Sequence, residues 1–430
     1  MEQMSDRGPG ISKQYSWYVF FLLFLLYMFD YIDRMVIVSL LPFIKQDWGL
    51  SDTQCGLLVS AVSWSILIFS FPASVMVDRW SRRKSIGLMA AVWSLATLAC
   101  AFTRSFPQLL AVRAAIGVGE AGYAPGGTAM ISTLFPHERR ARMLGLWNAS
   151  IPLGGALGIG IGGLVAEHFG WRHAFGIVAL PGFLLALLFF TVKDYETVPL
   201  VKPVEGEPDK KQIHMRFGDI ARQFTENPTL VFNNLGFAAN LFVTSALMAW
   251  LPTYFHRMDG LAMSQAGPKA GAVLLLAVIG APLGGYLTDQ WLKRKANARL
   301  VFPALSSLIT AVLLFVAFMF FTGTAQYVVL LAAGLCAVGF VPASVAVTQD
   351  VVHPGLRAIS LSVNVIMQHL LGTALGPIFV GFVSDKYDLT TGLVCLPAFT
   401  LIGSLLFFIG SFFYVQDRAK AEKIELSLDR

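Results

Sequence analysis

The chain has 430 residues, of which 56% are hydrophobic and only 13% charged, with a mean hydropathy of +0.65. A soluble globular domain carries about 25% charged residues, so this composition cannot cover a water-facing surface and lipid must be the solvent for most of the chain. The formal net charge of +6 is read as loop charge facing an anionic leaflet, not as a nucleic-acid footprint.

Met1 to Gln14 is polar, and the apolar stretch that follows is too long for the core of a cleavable leader. Apolar runs of spanning length then fall near 16–44, 52–77, 85–103, 107–135, 141–165, 173–192, 229–255, 267–290, 300–321, 325–349, 357–384 and 390–415. The one long connection, with Pro199, Pro203 and Pro208, separates the first six from the last six. The expected fold class is an all-α integral membrane protein of twelve transmembrane helices in two six-helix pseudo-repeats. Its expected parts are an N-terminal bundle over 1–192, a cytoplasmic linker over 193–228 and a C-terminal bundle over 229–430.

Placing the N-terminus inside puts 24 of the 32 lysines and arginines on inner segments and six on outer loops, with Arg34 and Arg113 inside helices. That bias predicts cytoplasmic termini and a multi-pass protein of the cell (inner) membrane. A small residue stands four positions before an acid at four helix ends: Ser74…Asp78, Gly163…Glu167, Gly285…Asp289 and Gly381…Asp385. The pairs recur at offsets of 211 (78→289) and 218 (167→385), as nested repeats of a rocking transporter would.

Chemistry concentrates inside the first and fourth segments. Asp30, Asp33 and Arg34 share a helix face at i, i+3 and i+4, and Arg113 and Glu120 lie two turns apart on another. A charge at the bilayer centre costs about 2.5–3.5 kcal/mol even on the lenient insertion scale, so these groups must face one another or a polar cavity. Three acids and two bases leave −1, which one proton neutralises. An entering anion would compete for the arginines and free a carboxylate to take that proton, the electrostatic logic of proton–anion symport. Asp30, Asp33 and Glu120 are the expected proton-coupling residues, and Arg34 and Arg113 the expected anion ligands. Tyr123, Asn148, Asn240, Asn364, Gln368 and His369 are further candidates to line the path.

The loop Asp78-Arg79-Trp80-Ser81-Arg82-Arg83-Lys84 and its counterpart from Asp289 resemble the Gly-x-Leu-x-Asp-Arg-x-Gly-Arg-Arg/Lys signature of the major facilitator superfamily. Ser74 and Ser81 replace the two glycines. The resemblance implies a conformational latch at Asp78, Arg82, Arg83 and Asp289. Asp33-Arg34 with Arg113 and Glu120 resembles the anion–cation symporters. The flanks DYIDR, GVGEAGYAP (117–125) and IPLGGALG (151–158) are more similar to the Spinster-like branch, which includes lysolipid exporters. These resemblances imply a monomeric secondary transporter of an organic anion or amphipathic anionic lipid, working by alternating access. The alternatives are a lysolipid uniporter or exporter without proton coupling, and a non-transporting receptor of the same fold.

Gly-x-Ser-x-Gly, His-Glu-x-x-His and phosphate-loop motifs are absent, and the seven histidines are scattered. No enzyme activity, cofactor or metal is therefore expected. Cys55, Cys100, Cys336 and Cys395 show no paired spacing and are expected to pack as small apolar residues.

Overall fold

A computed structural model describes residues 12–193, 226–352 and 356–423. Most of the expected linker, 194–225, and both chain ends lie outside the described residues. All regular structure within them is helical. The helices are α1 (Lys13–Trp48), α2 (Asp52–Arg79), α3 (Arg82–Cys100), α4 (Phe106–Glu120), α5 (Tyr123–Leu134), α6 (His137–Asn148), α7 (Ser150–Phe169) and α8 (Trp171–Phe189). After the linker come α9 (Pro228–Met258), α10 (Met263–Leu275), α11 (Ala277–Leu292), α12 (Ala298–Phe320), α13 (Gly323–Ala337) and α14 (Val341–Asp350). The last are α15 (Arg357–Met367), α16 (Gly376–Lys386), α17 (Leu389–Val394) and α18 (Leu396–Lys423), with a π-helical turn over Gln368–Thr373 between α15 and α16.

Local sequence explains the boundaries. Ser12 caps α1 by accepting from the Tyr15 amide at 3.2 Å, and Gly49 closes it in the left-handed region (φ 64°). Ser51 and Gln54 form a reciprocal capping box at the start of α2. Ser81 takes a glycine's place in the loop signature and there caps α3, accepting from the Lys84 amide at 3.0 Å.

Nine helical stretches among the described residues are long and apolar enough to cross a membrane. The other three expected segments are helical too, but their hydropathy is diluted. Helix α1 carries Asp30, Asp33 and Arg34, α3 opens on Arg82-Arg83-Lys84, and α4 ends at Glu120.

Two compact units result. The first comprises Met1–Tyr195, Ala246–Val278 and Pro377–Gly392. Within it α7 lies against α1. A Cβ on Gly154 would sit 2.3 Å from the Met28 carbonyl oxygen, and one on Gly158 would sit 2.6 Å from that of Ile32. The glycine run of α7 therefore sets the depth of the helix that carries the embedded charges. Tyr27 stacks on Trp147 at 4.3 Å, and Tyr123 meets Trp93 edge-on at 5.3 Å.

The second unit comprises Glu196–Ser245, Ile279–Gly376 and Leu393–Arg430. Leu230, Phe237, Leu300, Phe340, Val347, Phe407 and Tyr414 form its core. Arg299 and Tyr414 both donate to Asp350, the phenol at 2.6 Å. The Thr229 amide and hydroxyl both donate to Asp417, at 3.2 and 2.7 Å.

Gly158→Ala is expected to lower stability by about 1–3 kcal/mol, the usual cost of overpacking against main chain. The thermal unfolding midpoint of the purified protein in detergent measures it, with exposed Gly145→Ala as the unaffected comparison.

Candidate functional site

Three of the five embedded charges, Asp30, Arg34 and Glu120, close into one network; Arg113 reaches it only through backbone carbonyls, and Asp33 forms no ion pair in it. The Arg34 Nη2 donates to Asp30 Oδ2 at 3.3 Å and to Glu120 Oε2 at 2.7 Å, so one nitrogen serves two carboxylates from α1 and α4. Arg34 Nε is buried without an acceptor. The guanidinium carbon lies 4.7 Å from the Tyr31 ring centre, a cation–π distance. The side chain of Arg34 keeps 16% exposure, whereas those of Asp30 and Glu120 have 2% and 0%.

Arg113 is fully buried and pairs with no carboxylate among the described residues. Its Nε donates to the Leu58 carbonyl at 3.2 Å, and Nη1 and Nη2 donate to the Asp33 and Arg34 carbonyls at 3.3 Å each. It fastens the α1 main chain at the charged segment and joins the network through backbone. Asp33 is buried, and neither of its carboxylate oxygens has a hydrogen-bond partner.

The remaining expected residues scatter. Tyr123 is in the core, its hydroxyl donating at 2.6 Å to the Leu23 carbonyl, which also accepts from Trp147 Nε1 at 3.1 Å. Asn148 is exposed at the end of α6. Asn240 is buried and turned back on its own helix, donating to the Gly236 carbonyl at 2.9 Å. Asn364, Gln368 and His369 do come together in the second unit. Asn364 donates to Asn234 at 2.8 Å, Gln368 donates to Asn364, and His369 Nδ1 lies 3.1 Å from the Thr373 hydroxyl. Gln368 opens the π-helical turn, a distortion that often accompanies functional sites.

The four acids of the spacing repeat fare differently. Asp289 is exposed and makes no hydrogen bond or ion pair with any described residue. The side chain of Asp78 lies outside the described residues. Arg83 Nη1 donates to the Val192 carbonyl at 3.2 Å, just beyond the end of α8. Arg82 follows the Ser81 cap in the first turn of α3.

The other two acids are engaged, and in the same way. Glu167 Oε2 accepts from the Ser264 amide at 3.1 Å in the first turn of α10. Asp385 accepts from the Asp52 and Thr53 amides at 2.7 and 2.8 Å, and from the Thr53 hydroxyl at 2.6 Å, in the first turn of α2. Four positions earlier stand the glycines. A Cβ on Gly163 would lie 2.5 Å from the Met263 carbonyl oxygen, and one on Gly381 would lie 2.4 Å from that of Asp52. The motif is thus a docking device. The glycine lets a foreign helix start touch the backbone, and the acid one turn on receives its orphan N–H groups and its dipole.

The start of α2 is also an ion-pair centre. Asp52 accepts both ends of the Arg257 guanidinium at 2.7 and 2.8 Å, Lys45 at 2.6 Å and the Ser384 hydroxyl at 2.6 Å. Sequence reasoning had counted Lys45 and Arg257 only as loop charge. The available signal was the offset of 211, which relates Thr53 to Ser264 as it relates Asp78 to Asp289.

With this geometry in hand, similarity to known proteins is informative. The sequence profile described as the Major Facilitator Superfamily matches residues 23–377. A hexuronate transporter of Bacillus subtilis (strain 168) is 30% identical over 91% of this chain and 92% of its own length. The protein spinster homolog 1 of Xenopus laevis is 26% identical over 98% of this chain and 86% of its own. The crystal structure of a bacterial homolog to human lysosomal transporter Spinster, inward-facing and unoccupied, superposes with a TM-score of 0.83. It shares 24% identity and covers 95% of this chain and 99% of that one.

The bidentate Asp52–Arg257 pair is expected to couple strongly. In a double-mutant cycle of Asp52→Ala and Arg257→Ala, read by chemical unfolding in detergent, the interaction energy should be about 1.5–3 kcal/mol. Additive single losses would show that the pair contributes only surface charge.

Proposed function

The chain belongs to the Major Facilitator Superfamily, and we propose that it is a proton-coupled secondary transporter of an organic anion, with Arg34 as the anion ligand. The observation that carries this reading is the state of Arg34. It is the most accessible member of the embedded charge network, and it spends one nitrogen on two carboxylates while Nε has no acceptor. An incoming carboxylate can take the fork bidentately, an arrangement stronger and more directional than a monodentate contact. Asp30 and Glu120 then lose their shared cation in a low-dielectric site, and proton uptake by Glu120 and Asp33, with Asp30 as the alternative to Asp33, restores neutrality. Arg113, held on three carbonyls, positions the α1 backbone. The similarity to a hexuronate transporter favours a sugar acid over a lipid. The similarity to spinster proteins keeps lysolipid export without proton coupling as the second reading.

Alternating access follows from the docking device. We place the described Asp52 end on the outer side and both termini in the cytoplasm, with twelve spans in two bundles on either side of a cytoplasmic linker over 193–228, in a monomer of the cell membrane. Glu167 and Asp385 then hold the outer side shut, and Asp78 and Asp289 take the equivalent role at the inner side in the opposite state. Reciprocity supports this: Glu167 caps a helix that begins after the linker, and Asp385 caps one that begins before it.

Two outcomes test the proposal in proteoliposomes. Hexuronates should accumulate under an imposed pH gradient, and lysolipids should not. Glu120→Gln should retain substrate counterflow but lose gradient-driven accumulation, and Arg34→Lys should raise the half-saturating concentration by about tenfold or more, the loss of one charge-assisted bond. Accumulation that survives Glu120→Gln, or a substrate that is cationic, overturns the assignment.

Asp385→Asn should weaken outer closure, because a charge-assisted contact to two amides and a hydroxyl is lost, and two states separated by a few kcal/mol respond to that. Cysteine-probe labelling at positions lining the outer side should rise, while substrate affinity stays near that of the unmodified protein. Unchanged labelling would reduce the contact to local capping.

A further inference from the structure

The part of the second unit where α11, α12 and α13 meet takes no part in the anion and proton chemistry above. Two glycines bring α11 onto α13: a Cβ on Gly280 would collide with the Leu335 carbonyl oxygen, and one on Gly284 with that of Gly339. Ser306 of α12 donates to the Cys336 carbonyl at 2.9 Å. Both helices therefore lean on the end of α13, and a furrow of about 720 Å³ runs between them. Its walls are apolar, with Leu283 and Leu287 from α11 and Leu305 and Ile309 from α12, all four exposed. That volume lies in the range of sites that hold small molecules.

One end of the furrow is basic. Trp291, Lys293 and Arg294 line it there, in the turn that closes α11, where the Arg294 and Lys295 amides donate to the Trp291 carbonyl at 2.9 and 3.0 Å. Lys293 donates to Gln290 at 3.0 Å, and the Arg294 guanidinium has no acceptor among the described residues. Both bases are exposed, and the acid of the same turn, Asp289, lies outside the furrow. With Lys295 the turn carries three bases to one acid, a surplus of +2. The furrow thus has the polarity of an amphiphile: a cationic end beside an indole, the ring that favours membrane interfaces, and then apolar wall.

We propose that this furrow binds one anionic phospholipid, with the phosphate on Lys293 and Arg294 and an acyl chain between α11 and α12. Charge selects the occupant. A lipid in the bilayer already has its tails in hydrocarbon, so apolar contact alone gives little preference for the furrow, whereas a basic pocket between spanning helices attracts anionic head groups. A zwitterionic lipid offers the same chains without net charge, and a second copy of this chain would bring three more bases to the same turn. The same order of residues follows α2, where Asp78, Trp80 and Lys84 stand 211 positions before Asp289, Trp291 and Lys295, and Lys84 Nζ lies 5.9 Å from the Trp80 ring centre. That turn serves as a basic comparison. Assigning the lipid to the inner leaflet rests on the reading that puts both termini in the cytoplasm; the binding itself rests on neither that reading nor transport.

The test is native mass spectrometry of the purified protein in detergent, titrated with phosphatidylglycerol or with phosphatidylcholine of the same acyl chains, and the thermal unfolding midpoint is followed in parallel. The unmodified protein should retain one phosphatidylglycerol at concentrations where phosphatidylcholine dissociates, and its midpoint should rise saturably with the anionic lipid alone. Lys293→Gln combined with Arg294→Gln should lower the affinity about 25-fold, about fivefold for each base beside a lipid head group. Lys84→Gln, which removes the same kind of charge at the matching turn, should leave this binding unchanged. Ile309→Trp, a larger side chain at an exposed wall position, should release the lipid with both bases intact. Equal retention of the two lipids, phosphatidylglycerol binding that survives the double substitution, or binding indifferent to Ile309→Trp overturns the proposal. So does a dimer that Ile309→Trp dissociates, which would put a second copy in the furrow instead. Neither readout uses a transported substrate or a pH gradient, so failure here leaves the transport reading standing, and failure of uptake leaves the lipid site standing.

Discussion

The contact on which the described architecture turns is the seating of a helix start on a glycine with a carboxylate one turn beyond. It occurs at Gly163–Glu167 under α10 and at Gly381–Asp385 under α2. Each instance solves the same problem. The first turn of a helix has N–H groups with no intrahelical acceptor, and a carboxylate there also meets the positive end of the helix dipole. Borrowing the acceptor from another helix makes the solution conditional: the charge-assisted contact lasts only while the two helices stay together. Asp52 extends the condition to side chains, since Arg257, Lys45 and Ser384 all converge on the residue whose own amide Asp385 accepts.

The embedded charges obey the opposite economy. Arg113 is held by three main-chain carbonyls, from Leu58, Asp33 and Arg34. Arg34 is held by two carboxylates and the Tyr31 ring. Two arginines that look alike in a motif are therefore held differently, one on main-chain carbonyls and one on side-chain carboxylates. The difference lies in what each one touches and not in its charge.

Much of this was legible in sequence. The charged face of α1, its partners on α4 and the helical character of every expected segment follow from spacing and hydropathy, and the described helices match them. The small-xxx-acid repeat was legible as a pattern at four helix ends. What it does was not, because the acceptor in each pair lies across long stretches of chain, 97 positions for Ser264 and Glu167 and 332 for Thr53 and Asp385. The same distance hid Arg257 and Lys45, whose partner Asp52 reads locally as a first-turn acid. Tyr123 and Asn240 were singled out for polarity alone. Their hydrogen bonds end on Leu23 and Gly236 backbone, and no one-dimensional pattern reports where a polar tip will be satisfied.

The dilution of hydropathy in α1 and α4 has a bearing on how the chain enters its membrane during synthesis. Each carries charge that the other neutralises, and Arg34 and Glu120 are 86 residues apart. When α1 leaves the ribosome, Glu120 has not yet been made, so the helix cannot settle fully into hydrocarbon on its own merits. Apolar runs on either side of the charges, Val19 to Leu26 and Met35 to Ile44, hold the helix in hydrocarbon while its charged middle still lacks the partner on α4. The Arg34–Glu120 contact therefore joins the first helix made to one made three helices later, and it can form only once both are in place.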